Sequence, residues 1–209
     1  KVFFQGNQLS PTEDYEKNCK KLIENFKNII WMTYRRNFFP LLHNTKDHKI
    51  QNYISDTGWG CMVRVGQMAL AEGLRHHLQQ KGIYDNKRII QAFLDNDFGD
   101  DNIAPYSIQK ICKIAYKEFQ LVPGQWYSPV RICHVLSLLH NDKKQILDCE
   151  DLKVGVFSTD RPIIIADMIK KINPGVQNAC EETNCQFIKN QKDQKIVCQQ
   201  HNQSIFSLL

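Results

Sequence analysis

Long apolar runs are scarce in this chain of 209 residues. The longest, such as residues 163–166, fall far short of the ~18 consecutive apolar residues that a membrane-spanning helix requires. The sequence therefore predicts no membrane span.

Charge of one sign and cysteine are also sparse. Lys and Arg number 27 against 22 Asp and Glu, and this net charge of +5 includes no tract of five or six like charges. Such a dilute charge does not indicate a nucleic-acid partner. The 8 cysteines are too few and too irregularly spaced for a disulfide scaffold. We interpret them as reduced thiols of a cytoplasmic protein.

The overall composition is that of an ordinary globular chain, with 42% hydrophobic and 23% charged residues. Its length predicts one large domain or part of one. We expect residues 1–175 to form the N-terminal part of that domain. Residues 176–209 are rich in Gln, Asn and Lys and predict a polar, loop-like tail.

Apolar spacing predicts the first elements. Steps of three and four indicate an amphipathic helix over 15–32 whose apolar stripe faces a core. The polar stretch 43–52 predicts an exposed loop, and we expect the next ordered element near Gly58. A second helix is predicted to begin at Cys61 and to end near Lys81 and Gly82.

Further along the chain, capping residues mark more helices. Ser107 predicts one helix start, and Ser128 followed by Pro129 predicts another, because proline is tolerated at the first helical position. Residues 152–157 predict a strand, and a helix is expected from about 159 through 172.

One segment carries chemistry: Cys61 directly follows the turn Gly58-Trp59-Gly60. Backbone N–H groups and the dipole at a helix N-terminus favour an anion, which is how a thiolate nucleophile is stabilised. The glycines would allow a sharp turn and a close approach of substrate. The alternative is a buried structural cysteine with Trp59 as core filler.

Three ordered blocks resemble one family. The segment 55–62, with Arg64, Gly66, Gln67 and Met68, resembles the nucleophile segment of the autophagin family, the autophagy cysteine proteases. Residues 31–38 resemble the block upstream of the nucleophile, and residues 124–129 resemble the substrate-side loop. The resemblance runs from about residue 1 to 172 and fades in the tail.

The resemblance implies a papain-like α+β fold and a role in autophagosome formation. The implied activity is cleavage of a ubiquitin-like autophagy modifier after its C-terminal glycine, together with release of that modifier from phosphatidylethanolamine. The substrate would bring the enzyme into transient contact with a membrane surface. We expect no cofactor.

The resemblance also assigns roles to residues. Cys61 would be the nucleophile, Tyr34 would donate its hydroxyl to the tetrahedral oxyanion, and Trp126 would lie over the nucleophile and gate the substrate groove. Otherwise, Tyr34 would be a tyrosine at a helix end and Trp126 a loop residue that plugs a core edge.

The catalytic base is not found by sequence. The family carries it in an Asp-Pro-His motif, which does not occur in these 209 residues. His76 and His77 follow Cys61 by 15 and 16 residues on the same helix, which places their backbones more than ~20 Å away. The other candidates are expected at the surface or core edge: His48, His134 and His140.

We therefore expect this chain to be the N-terminal portion of such a protease, truncated before the strands that carry the Asp and His, and inactive alone. The alternative is an incompetent fragment or pseudo-enzyme that only binds the modifier.

A second cluster lies in the tail: Cys180, Cys185, Cys198 and His201. These are zinc-ligand types, but their spacing is not that of the tight zinc-finger forms. Free thiols are the alternative, and we predict no metal.

Overall fold

A computed structural model describes residues 15–44, 50–95, 104–142, 147, 149 and 151–157, together with five three-residue strands nearer the termini. Helices and strands are both present, so the α+β expectation is confirmed as a mixed helical and sheet architecture. In chain order the elements are β1 (Val2–Phe4), β2 (Asn7–Leu9), α1 (Tyr15–Lys27), β3 (Arg36–Asn44), β4 (Ile50–Ser55), α2 (Cys61–Gln80), α3 (Asn86–Gln91), α4 (Ile108–Phe119), α5 (Pro129–Asp142), β5 (Val154–Val156), β6 (Phe187–Lys189), β7 (Ile196–Cys198) and β8 (Phe206–Leu208).

The core forms around α2, which packs against α5. Leu70 and Leu74 of α2 have no exposed surface. Gly66 lets the two helices approach closely, since a Cβ atom there would come within 2.6 Å of Ile132 and 3.0 Å of Leu136. The helix that begins at Cys61 is therefore held by its buried face.

Several predicted boundaries are confirmed. The helix α2 begins at Cys61 and ends at Gln80, close to the predicted stop. The hydroxyl of Ser107 caps α4 by accepting from the N–H of Lys110. Pro129 is the first residue of α5, and the strand β5 falls within the predicted range 152–157.

The first helix differs from its prediction in two ways. It ends at Lys27 rather than near residue 32, because the chain turns at Asn28 and then runs extended towards β3. None of its residues is buried, and Ile23 and Phe26 remain about half exposed. A 3.6-residue period marks one helix face as apolar, but it does not establish what covers that face.

The predicted loop over 43–52 is wrong at both of its ends, and residues 45–49 lie outside the described residues. Strands β3 and β4 form an antiparallel hairpin in which Leu42 pairs with Asn52 and His43 with Gln51. The ladder satisfies backbone N–H and C=O groups whatever the side chains are, so a polar strand leaves little sequence signal. An ordered element thus precedes Gly58.

Three short strands, β6, β7 and β8, lie within 176–209, and the rest of the predicted tail falls outside the described residues. Strand β6 pairs antiparallel with β7, and β8 pairs parallel with β5. The predicted helix over 159–172 falls outside the described residues. Among the helices that the structure describes, none has the length and apolarity needed to cross a membrane.

Candidate active site

Cys61 is the first residue of α2, and its side chain is exposed. The turn before it is closed by the carbonyl of Asp56, which accepts from the N–H groups of Trp59 at 3.2 Å and Gly60 at 2.8 Å. Trp59 is buried, with 5% of its surface exposed. The alternative of a buried structural cysteine is therefore wrong for Cys61.

The two glycines of the turn have different physical roles. Gly58 has φ +90°, a backbone conformation that side-chain-bearing residues rarely adopt. Gly60 has φ −81°, which any residue tolerates. A Cβ atom at Gly60 would lie 2.5 Å from a carboxylate oxygen of Asp56 and 2.6 Å from its Cβ atom. Gly60 is therefore required for space beside Asp56 and not for its backbone angles.

The carboxylate of Asp56 is completely buried behind the turn. Its Oδ1 atom accepts from the backbone N–H of Arg35 at 2.7 Å, and its Oδ2 atom accepts from Nε of Arg64 at 2.6 Å. Arg64 lies on the first turn of α2, so this carboxylate ties the helix start to the chain segment before β3.

A second carboxylate, that of Asp95, completes the arrangement. Its Oδ2 atom accepts from Nη2 of Arg64 at 2.8 Å and from Nη1 of Arg35 at 3.1 Å, and its Oδ1 atom accepts from the N–H of Ile108 at 3.0 Å. We call Arg35, Asp56, Arg64 and Asp95 the ion cluster. Burial opposes the charge of Arg64, but the hydrogen bonds and charges of Asp56 and Asp95 outweigh it and raise the pKa of Arg64.

Tyr34 lies next to this cluster in the chain. It is 46% exposed and immediately precedes Arg35, whose carbonyl accepts from the N–H of Asp56 at 3.3 Å and from the hydroxyl of Ser55 at 3.1 Å. The segment that carries Tyr34 is thus bonded to the turn that leads into Cys61. The role of its hydroxyl at the oxyanion stays a prediction.

Trp126 also meets the turn. Its indole N–H donates to the carbonyl of Gly58 at 2.9 Å while 75% of the residue stays exposed. The alternative of a core plug is therefore wrong, and the neighbouring Tyr127 is buried instead. A Cβ atom at Gly124 would come within 2.5 Å of the Tyr53 ring, so the loop is packed closely against the hairpin.

The described histidines have partners other than Cys61. His77 Nε2 lies 3.0 Å from Asp151 Oδ1, and His76 Nε2 lies 3.4 Å from Glu72 Oε1. The ring of His134 packs against Phe119. These contacts agree with the expectation that none of the three is the base, and the side chain of His48 lies outside the described residues.

His140 is buried and bonded at both ring nitrogens. Its Nε2 donates to the carbonyl of Leu152 at 2.9 Å, so its Nδ1 accepts from the hydroxyl of Tyr106 at 2.7 Å. Burial lowers the pKa of His140, which keeps the ring neutral. Both nitrogens are already used, so this ring is not available as the base.

Within the part of the chain that the structure describes, no group of three or more His, Cys, Asp or Glu side chains could hold a metal ion. The side chains of the tail cluster fall outside that part: Cys180, Cys185, Cys198 and His201.

The sequence reasoning missed the two carboxylates of the ion cluster. Asp56 could have been noticed, since it lies inside the block that resembles a nucleophile segment. Asp95 gave no signal, because it is 31 residues from Arg64 and 60 residues from Arg35.

Comparison with known proteins agrees with the blocks noticed in the sequence. A model of the peptidase C54 catalytic domain matches residues 19–205, which extends past the point where the resemblance was expected to fade. Cysteine protease ATG4 of Gibberella zeae is 28% identical over 72% of this chain and 34% of its own length. Cysteine protease ATG4A of Homo sapiens is 32% identical over 72% of this chain and 35% of its own length, and ATG4A of rice (Oryza sativa subsp. indica) is 32% identical over 64% and 28%. The chain thus spans about a third of the length of these relatives. With its exposed cysteine at the start of α2 and a family match over most of its length, the chain belongs to the peptidase C54 family, the autophagy cysteine proteases that the sequence blocks resemble.

Proposed function

We propose that this chain provides the nucleophile of a cysteine protease that cleaves a ubiquitin-like autophagy modifier after its C-terminal glycine. The observation that carries the proposal is the exposed thiol of Cys61 at the start of a buried helix. The turn before Cys61 contacts Trp126 and is bonded to the segment that carries Tyr34. The family match supports the same chemistry.

In the proposed reaction the sulfur of Cys61, as a thiolate, attacks the carbonyl carbon of the terminal glycine. A C–S bond forms, and the carbonyl electron pair moves to the oxygen, where the Tyr34 hydroxyl donates a hydrogen bond. The oxyanion then re-forms the carbonyl as the C–N bond breaks, and the leaving amine takes a proton from a protonated histidine, the role that the resemblance assigns to the Asp-Pro-His motif. Water hydrolyses the thioester, which returns the thiol and releases the modifier.

The groove for the substrate tail is proposed to run beneath Trp126. Its indole is anchored at Gly58 through one hydrogen bond and is otherwise exposed, so the ring can move aside without disturbing the core. The same chemistry with phosphatidylethanolamine as the leaving amine would release the lipid-bound modifier. A cytoplasmic location and a transient contact with the membrane surface through that substrate complete the proposal.

A second candidate is a module that binds the modifier without cleaving it. The partners of the described histidines favour it, since His76, His77 and His140 are each engaged elsewhere. A thiolate-imidazolium pair needs a histidine within about 3 Å of the sulfur. In this case Trp126 and the turn before Cys61 would bind the C-terminal segment of the modifier, and no acyl-enzyme would form.

Incubation of the chain with a modifier precursor extended beyond its terminal glycine tests both candidates. Cleavage that is lost in Cys61→Ala and kept in Cys133→Ala would support the protease, because Cys133 is a half-buried cysteine on α5. Calorimetry with the same precursor would detect binding without cleavage. If neither cleavage nor binding is observed, both candidates are refuted for this chain.

A further inference from the structure

The ion cluster forms a closed ring between two parts of the candidate site. Asp56 binds the backbone of Arg35 and the side chain of Arg64, and Asp95 binds the side chains of both arginines. The ring therefore joins the segment that follows Tyr34 to the first turn of the helix that begins at Cys61.

The charges of the ring balance only when both carboxylates are present. The side chains of Arg64 and Asp56 are 3% and 0% exposed, and that of Asp95 is 2% exposed. Removing one of two buried carboxylates leaves two guanidinium groups to share the other, and an uncompensated buried charge is costly. Asp56 accepts from Arg35 at its backbone N–H, whereas Asp95 accepts from the Arg35 guanidinium, so the two carboxylates hold different parts of this residue.

Asp95 belongs neither to the segment that follows Tyr34 nor to the turn and helix start at Cys61, which are the two segments that the ring joins. It holds the Arg35 side chain, which is 30% exposed and whose Nη1 also donates to the carbonyl of Phe93 at 3.1 Å. Without Asp95, Nη1 of Arg35 would keep this neutral acceptor but lose its charged one, while the Arg35 N–H would still reach Asp56. The position of the Tyr34 segment would then depend mainly on backbone contacts.

We infer that Asp95 is a positioning residue, which fixes the segment that carries Tyr34 against the helix that begins at Cys61. The inference rests on the proposed function, because it assigns Tyr34 and Cys61 to one reaction. Asp95 acts through Arg35 and Arg64 and does not itself touch the substrate.

The test is the substitution Asp95→Asn, which preserves the shape of the side chain and removes its negative charge. The amide offers one oxygen in place of two, so it cannot accept from Ile108 and from both arginines at the same time. The matched control is Asp151→Asn, because Asp151 pairs with His77 and Lys81 at the other end of α2.

Kinetics of precursor cleavage separate positioning from general stability. We expect Asp95→Asn to lower kcat about tenfold with KM unchanged, as for the loss of one charged hydrogen bond in the transition state. In a Tyr34→Phe background the same substitution is expected to lower kcat less than about twofold, because the hydroxyl that it positions is absent. A loss of equal size in both backgrounds would overturn the inference, since a purely structural effect is additive.

Hydrogen exchange of backbone amides provides a readout that needs no cleavage. Asp95→Asn should accelerate exchange over 31–35 and 56–61 by about tenfold, whereas Asp151→Asn should leave both segments unchanged. If the unaltered chain does not cleave the precursor, the protease proposal fails for this chain and exchange alone decides the inference. Unchanged exchange, or equal acceleration in the control, would overturn it.

Discussion

The substitution Gly60→Ala tests whether the turn before Cys61 is fixed by the carboxylate beneath it. The backbone of Gly60 suits alanine, so any cost must come from the added methyl group. That methyl would lie 2.5 Å from Asp56 Oδ2 and 2.6 Å from Asp56 Cβ, and ordinary contact requires a shift of about 1 Å. Because Asp56 is buried and bonded at both oxygens, such a shift breaks at least one charged hydrogen bond. We expect a loss of about 3 kcal/mol in the free energy of unfolding.

Urea unfolding followed by tryptophan fluorescence measures this loss, with Gly82→Ala as the control. Gly82 has φ +76°, and a methyl group added there would meet no atom within 4 Å, so alanine costs only backbone strain, about 1–2 kcal/mol. If Gly60→Ala is no more destabilising than Gly82→Ala, the explanation of Gly60 by its contact with Asp56 is refuted.

Two further predictions concern groups away from the turn. Partial burial acts to raise the pKa of Glu72, but hydrogen bonds from His76 and Arg75 outweigh it and lower that pKa to about 2. The stabilisation from ionised Glu72 is therefore fully present above its ordinary pKa and is lost as pH falls through about 2, so Glu72→Gln should lower the urea midpoint at pH 6 and lower it much less at pH 2. Tyr106→Phe should reduce the free energy of unfolding by about 1–3 kcal/mol, because it leaves the buried Nδ1 of His140 without its donor at 2.7 Å. Equal urea midpoints for this variant and the unaltered chain would contradict that assignment.

Helix boundaries were predictable where local chemistry fixes them. Ser107 and Pro129 mark helix starts because a cap and a missing N–H act within a single turn. The start of α2 at Cys61 has no side-chain cap, and it was predictable from the glycine turn before it and the apolar spacing after it. The hairpin of β3 and β4 was missed, because its stabilising bonds join backbones from two separate stretches of chain.

The candidate site was only partly predictable. Cys61, Tyr34 and Trp126 lie in contiguous blocks, so resemblance could find them. The contact of Trp126 with Gly58 joins residues 68 positions apart, and only the folded chain places them together. The exposure of Cys61 likewise depends on which face of α2 is buried.

The sequence by itself determined the turn that precedes the proposed nucleophile and the helix that this residue begins, since both depend on neighbours within a few positions. The tertiary structure decided what holds that turn in place. Asp95 reaches Arg35 and Arg64 across 60 and 31 residues, and a carboxylate so placed has no local pattern to mark it. Buried charges require partners, and the fold supplies those partners from distant parts of the chain.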